Sequence, residues 1–178
     1  MLTTDDATLV VVDLQVKLLP VMQDEYALMD NADRLIRGAL ALGLPIVWTE
    51  QNPDGLGPTA PQLADLLPGE PITKLSFSCC GEPAFSRALA SAGRKQILLA
   101  GIETHVCVYQ TCLDLLAVGY KVEVVSDAVS SRAAANKSVA LARMSAAGAG
   151  VTSVEIALFE LLKVAQGPAF KQVLKIVK

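Results

Sequence analysis

Short apolar runs recur along the chain and alternate with longer segments that have helical periodicity. Four runs are rich in β-branched or long aliphatic residues: Thr8 to Leu14, Pro45 to Thr49, Gln96 to Ala100 and Lys121 to Ser126. Two shorter runs lie near Ile72 and at Val151 to Ser153. Continuous apolar runs are typical of strands covered on both faces, as in a parallel sheet. The pattern therefore predicts four strands and indicates two more.

The segments between the runs are predicted helices whose ends are marked by glycine. In Asp30 to Leu42 the apolar side chains share one face, and Gly43 follows at the position where helices commonly end. Three further segments end in the same way, at Gly93, Gly119 and Gly148: Glu82 to Ala92, His105 to Val118 and Arg132 to Ala147. A last helix is predicted near Pro168, because proline suits a first turn.

Strands that alternate with helices imply right-handed crossovers and an open, doubly wound sheet. The expected fold is therefore α/β, three layers with helices on both faces of a Rossmann-like parallel sheet. The length of 178 residues predicts one domain over residues 1–178. In such sheets ligands bind beyond the carboxyl ends of the strands, so functional residues are sought directly after each strand.

Composition removes several classes of function. The net charge is −3 and no basic run stands out, so nucleic-acid binding has no support. No apolar run reaches the roughly 20 residues of a membrane span. The first six residues lack the pattern of a signal peptide, and a cytoplasmic protein is expected. A high content of Ala, Val and Leu, with an apolar C-terminal helix face, suggests a homo-oligomer.

The four cysteines and the single histidine restrict the chemistry. Thiols are more expected than disulfides in a chain of this kind, and the usual zinc spacings are missing. Neither a metal nor a cofactor is predicted. With His105 as the only histidine, a Cys-His pair or a Ser-His-Asp triad is nearly excluded. His105 is also two residues from Cys107, on nearly the opposite side of a helix.

Cys107 is the candidate nucleophile. It lies in the predicted first turn of a helix that follows a strand, where free N–H groups and the helix dipole favour a thiolate and can receive an oxyanion. The alternative is a small buried apolar residue. Cys112 is expected to serve packing, and Cys79 and Cys80 are expected to be structural.

Carboxylate and lysine side chains at other strand ends can supply the base. Asp13 follows the first strand, and Lys74 lies near the short third one. Asp13 can accept the thiol proton, and Lys74 can hold both groups by its charge. Taken singly, Asp13 can equally be a helix cap and Lys74 a solvated side chain.

Several motifs together resemble the isochorismatase-like cysteine hydrolases. They are D-L-Q at 13–15, Lys74 with F-S close behind, G-I-E-T-H-V-C-V at 101–108, T-C-L-D-L-L at 111–116 and S-D-A-V-S-S-R at 126–132. Four further segments resemble the isochorismatase domain-containing (MAR1-like) proteins within that family: 49–59, 130–132, 140–144 and 170–175. The likeness covers nearly the whole chain.

The resemblance implies a six-stranded sheet of order 3-2-1-4-5-6 and a triad of Asp13 as base, Lys74 as electrostatic partner and Cys107 as nucleophile. It also implies a cis peptide bond between Ile102 and Glu103, which turns the N–H groups of Glu103 and Cys107 into an oxyanion hole. The metal-binding histidines of the related nicotinamidases have no counterpart here.

The predicted function is hydrolysis of a small amide or related acyl compound through a thioester on Cys107. Four residues are placed near the pocket: Glu50, Gln51, Phe77 and Thr104. The segment Gln51 to Pro61 is a candidate lid. Two alternatives remain open, namely vinyl-ether hydrolysis of an isochorismate-like molecule and a non-catalytic oligomeric scaffold or binding protein.

Overall fold

The computed structural model describes all residues from Met1 to Lys178, and its centre is a six-stranded parallel sheet. The strands are β1 (Ala7–Val12), β2 (Ile46–Gln51), β3 (Ile72–Lys74), β4 (Gln96–Ile102), β5 (Lys121–Ser130) and β6 (Gly150–Thr152). Their order is β3-β2-β1-β4-β5-β6, and every pairing is parallel. The predicted fold and strand order are confirmed.

Eight α-helices connect or cover the strands. They are α1 (Glu25–Ala41), α2 (Pro53–Leu56), α3 (Pro61–Ala64), α4 (Pro83–Ala92), α5 (Tyr109–Ala117), α6 (Ala134–Ala146), α7 (Val154–Leu162) and α8 (Gly167–Val177). Two 3₁₀ turns, Leu19–Val21 and Cys79–Gly81, and a π-helical turn, Thr104–Val108, complete the elements. No helix combines the length and the apolar character that crossing a lipid bilayer demands.

Each face of the sheet carries its own hydrophobic core. Along β1, Leu9 and Val11 pack with α1, α7 and α8, whereas Val10 and Val12 pack with α4, α5 and α6. This division follows from the two-residue period of a strand, which sends successive side chains to opposite faces. The arrangement leaves the carboxyl ends of β1 to β4 together at one edge.

The helices differ from the sequence predictions most clearly at α1, at α5 and at α7. Helix α1 begins at Glu25, ahead of the predicted Asp30. The predicted helix His105 to Val118 starts as a π-helical turn and becomes α-helical only at Tyr109. Helix α7 was not predicted; the side chain of Ser153, which the sequence analysis placed in a strand, caps its start by accepting the N–H of Ile156.

Candidate active site

A buried ion pair lies at the carboxyl ends of β1 and β3. The ammonium of Lys74, the last residue of β3, donates to Oδ2 of Asp13 over 2.7 Å, and both side chains are fully buried. Asp13 follows β1 directly and has a positive φ of 53°. The topology brings the two residues together because β2 alone separates their strands.

The Lys74 ammonium has acceptors on every side. Besides Asp13 it donates to Oε1 of Gln51 at 2.7 Å and to the carbonyl oxygens of Ser76 and Phe77 at 3.2 and 3.1 Å. Three N–H groups therefore meet four oxygens, which offsets part of the cost of burying the charge. The turn after β3 therefore supplies two backbone carbonyl oxygens that bind the Lys74 ammonium.

The second oxygen of Asp13 is also held. The hydroxyl of Thr49 donates to Oδ1 over 2.7 Å, and Sγ of Cys79 lies 3.7 Å from the same hydroxyl. Thr49 was not singled out from the sequence, since a threonine in a strand is ordinary β-branched material. The one feature of the sequence that could have pointed to a role of Thr49 in the site is its position directly before Glu50 and Gln51, at the end of β2.

Gly101 lets β4 approach β1 closely at this edge. Its φ is +117°, and a side chain there would lie within 2.0 Å of the carbonyl oxygen of Val12. Only glycine tolerates both the backbone conformation and the contact. The segment that carries Cys107 is therefore held against the residue that follows Val12, namely Asp13.

The Cys107 thiol is 7 % exposed and belongs to the π-helical turn ahead of α5. Burial is the largest cause that raises its pKa; the charge of Asp13 and a hydrogen bond to Asp13 also raise it, the charge of Lys74 lowers it, and the resulting pKa is about 12. Two opposing effects on this thiol are expected from the sequence: a helix start and Lys74 favour the thiolate, and the charge of Asp13 disfavours it. Burial and Asp13 outweigh the cation, so at neutral pH the sulfur carries its proton.

The predicted oxyanion turn contains a cis peptide bond between Ile102 and Glu103. The carbonyl oxygen of Glu103 accepts the N–H groups of Val106 and Val108, at 3.0 and 3.2 Å. These two N–H groups are thereby occupied. The carboxylate of Glu103 turns outward to the guanidinium of Arg132, 3.1 Å away.

The four predicted pocket residues are placed differently from one another. The side chain of Gln51 accepts a hydrogen bond from Lys74, and so does the backbone carbonyl of Phe77, whose side chain is exposed. Thr104 is fully buried, and its hydroxyl has no hydrogen-bond partner. Glu50 is not brought to the ion pair; its Oε1 accepts the N–H of Thr59 at 2.7 Å.

The segment predicted as a lid is tied down. The side chain of Gln15 accepts the N–H of Gln51 and donates to the carbonyl oxygens of Gln51 and Gly57. Backbone bonds join Val16 to Pro58 and Ala60 to Leu14. Gln15, the last residue of the D-L-Q motif, thus fixes the segment that follows β2.

The three other cysteines and the single histidine differ in their burial and in their contacts. Cys79 and Cys112 are fully buried, and Cys80 is partly exposed. The ring nitrogens of His105 lie 3.0 Å from Oγ of Ser131 and 3.4 Å from Nδ2 of Asn136. No group of three or more His, Cys, Asp or Glu side chains is placed to hold a metal ion.

Comparison with known proteins adds independent findings. The family model described as "Isochorismatase domain" matches residues 7–156. Isochorismatase domain-containing protein 2A of Mus musculus is 40% identical over 176 residues, which are 98% of this chain and 84% of the mouse protein.

Two solved structures are similar over almost the whole chain. The structure described as MAR1 ribonuclease from Caenorhabditis elegans has a TM-score of 0.93 and 38% identity, and the match covers 99% of this chain and 91% of that one. The YcaC protein of Escherichia coli, described as an octameric hydrolase of unknown specificity, has a TM-score of 0.93 and 28% identity over 98% of this chain and 88% of its own.

Proposed function

The chain belongs to the isochorismatase family, and we propose that it is a cysteine-dependent hydrolase of small amides or related acyl compounds. Cys107 is the nucleophile, Asp13 the base and Lys74 the electrostatic partner of both. The catalytic unit is the one domain formed by residues 1–178, and it works as a homo-oligomer, as the octameric YcaC protein does.

The observation that carries the proposal is the buried Asp13–Lys74 pair beside the Cys107 thiol. Burying two charges costs several kcal/mol per ion, and apolar residues of similar volume would stabilise a core at least as well. A pair kept at the carboxyl ends of the strands, next to a thiol, is explained by chemistry more readily than by stability.

The first half of the reaction forms a thioester. Asp13 accepts the proton of the Cys107 thiol as the sulfur attacks the carbonyl carbon of the substrate. Lys74 offsets the negative charge shared by the carboxylate and the sulfur. The backbone N–H groups of Glu103 and Cys107 receive the oxyanion, and Asp13 returns the proton to the departing amine.

The second half regenerates the enzyme. Water occupies the place left by the amine, gives a proton to Asp13 and attacks the thioester carbonyl. The C–S bond breaks, the proton returns to the sulfur, and the product is a carboxylic acid. Asp13 thus takes up and returns one proton in each half of the reaction, and its protonation state is the same at the end as at the start.

Burial around the triad restricts the substrate to a small molecule. Asp13 and Lys74 are sealed, and the segment that follows β2 is fixed by Gln15. Thr104 contributes a buried hydroxyl without a partner, and a polar group of the substrate would satisfy it. Gln51 and Phe77 complete the contact surface, whereas Glu50 supports it from behind.

A screen of small amides and esters, read by intact-protein mass spectrometry, tests the proposal. We expect an acyl adduct that peptide mapping assigns to Cys107 and that water releases. The matched control is Cys112→Ala, which removes a buried thiol from the next turn and is expected to keep adduct formation.

The outcomes of this screen separate the rival functions. Turnover of a vinyl ether without any adduct would indicate isochorismatase-type chemistry, and absence of both would indicate a scaffold. RNA binding relies on basic surface, for which a net charge of −3 offers no support, so RNA enters the screen only as a control.

We expect catalysis to be independent of a bound metal. Extended dialysis against EDTA should leave kcat unchanged, because no cluster of metal-ligating side chains exists and Lys74 supplies the positive charge. The measurement is the hydrolysis rate before and after dialysis. A loss of activity that zinc or another divalent ion restores would contradict the expectation.

A further inference from the structure

We propose that Thr49 is a positioning residue, whose hydroxyl holds Oδ1 of Asp13 so that the carboxylate stays aimed at Cys107. This inference rests on the proposed function of the triad. It assigns a role to a strand residue that lies outside the triad and is 1 % exposed.

The geometry gives Asp13 one donor on each oxygen. Lys74 donates to Oδ2 at 2.7 Å, and Thr49 donates to Oδ1 at the same distance. Thr49 also accepts the backbone N–H of Asp13 with its own carbonyl oxygen, at 3.2 Å. The two residues are thus joined through both main chain and side chain, which fixes the orientation of the carboxylate plane.

The direction of the Thr49 hydroxyl is determined by its neighbours. An ionised carboxylate only accepts hydrogen bonds, so the hydroxyl hydrogen points to Asp13. The lone pairs then face Sγ of Cys79 at 3.7 Å, and the thiol is the donor there. Burial raises the pKa of Cys79 to about 11, which keeps that hydrogen in place at neutral pH.

Cys79 is itself held by the helix of the nucleophile. Its backbone N–H donates to Oγ1 of Thr111 at 2.9 Å, and Thr111 lies one helical turn beyond Cys107. A chain of contacts therefore runs from the nucleophile's helix through Cys79 and Thr49 to the back of Asp13. The charged or titratable groups that face Asp13 are Lys74, Cys107 and Cys79.

The hydroxyl has one expected consequence. Its hydrogen bond, together with that of Lys74 to the other oxygen, prevents the carboxylate from rotating away from the sulfur. Loss of the hydroxyl should lower the rate but not substrate affinity, because Thr49 lies behind Asp13.

Thr49→Val tests this with p-nitrophenyl acetate as the acyl probe. We expect kcat and kcat/KM to fall about tenfold while KM changes less than about twofold. Thr49→Ser keeps the hydroxyl and should restore both rate constants. Thr49→Ala replaces the valine variant if the latter does not fold.

The matched control is Thr8→Val. Thr8 is a threonine on β1 with a buried hydroxyl that has no hydrogen-bond partner, so the same chemical change there should not alter kcat. A kcat of Thr49→Val that matches this control would overturn the proposal. Failure of Thr49→Ser to restore kcat would also overturn it, since packing by the methyl group would then be the cause.

A measurement that requires no turnover separates this inference from the proposed function. Carbon-13 NMR of carboxyl-labelled aspartate, with the Asp13 signal assigned from Asp13→Asn, reports the environment of that carboxylate. At pH 7 we expect the Asp13 signal to shift in Thr49→Val, to return in Thr49→Ser and to stay in place in Thr8→Val. An Asp13 signal that does not move in Thr49→Val would overturn the inference. If Cys107→Ala kept full turnover, the proposed function would fall, and the NMR comparison would still decide on Thr49.

Discussion

Replacing Lys74 by methionine is expected to lower kcat by about 10³-fold and the free energy of unfolding by about 3–5 kcal/mol. The ammonium is sealed and partnered by four oxygens, so its removal leaves the Asp13 carboxylate buried without a compensating charge. Methionine has a similar length and fills the space, and the loss therefore reports on the charge. Urea denaturation and steady-state kinetics measure the two effects.

The control for this variant is Lys171→Met, a change of the same chemistry on the exposed side of α8. Exposed substitutions typically stay within about 0.5 kcal/mol, and no change in kcat is expected. If Lys74→Met proved as stable and as active as this control, the ion pair would have neither a structural nor a catalytic role.

The sheet could be predicted from the sequence because strands buried on both faces leave an unmistakable pattern. Helix α7 could not be read as easily, since only Glu155 and Glu160 interrupt its apolar run and no polar face marks the period. The apolar residues Val154, Ala157, Leu158 and Leu161 do recur at helical spacing and form its buried side. The π-helical turn before α5 could not be predicted, because the pattern of apolar residues does not distinguish it from an α-helix.

The reactive and charged residues of the candidate site could be predicted from the sequence, but the residues that hold them in place could not. Asp13, Lys74 and Cys107 carry chemistry that stands out at strand ends, and the topology brings the first two into contact. Glu50 and Gln51 were both placed at the pocket, although neighbours in a strand face opposite sides. In the structure Gln51 accepts a hydrogen bond from Lys74, whereas Glu50 accepts one from the backbone N–H of Thr59.

The direction in which the pKa of the Cys107 thiol is shifted could be determined only from the structure. Helix starts and cations are visible in a sequence, whereas the degree of burial and the distance to a carboxylate are not. Burial acts first and Asp13 second, and together they raise the Cys107 pKa to about 12. In the proposed mechanism Cys107 is therefore held as a thiol and activated by proton transfer, so the base matters as much as the sulfur.

Asp13→Asn is expected to reduce kcat at least about 10³-fold while making Cys107 easier to alkylate. The amide has the same shape and cannot accept the thiol proton as a base, so turnover stops. The negative charge that raises the thiol pKa disappears as well. Removing a charge at close range shifts a pKa by about one unit or more, so alkylation below pH 9 should speed up roughly tenfold or more.

The sign of the pH dependence follows from the same pKa. In the wild-type chain the thiolate fraction of Cys107 increases with pH until about 12, so labelling by iodoacetamide should keep rising across the accessible alkaline range. In Asp13→Asn the rise should level off at a lower pH. Peptide mapping after brief labelling at several pH values measures this, and Asp5→Asn, an exposed change at the N-terminus, is the control.

Opposite changes in turnover and in thiol reactivity distinguish a catalytic base from a merely structural carboxylate. A structural Asp13 would, when replaced, loosen the site and expose all four thiols together, so Cys79 and Cys112 would be labelled along with Cys107. A base that shares its proton with one sulfur changes that sulfur alone. Labelling that rises at Cys107 only, in a variant without turnover, is thus the result that the triad requires, and slower labelling of Cys107 would show that Asp13 does not act on it.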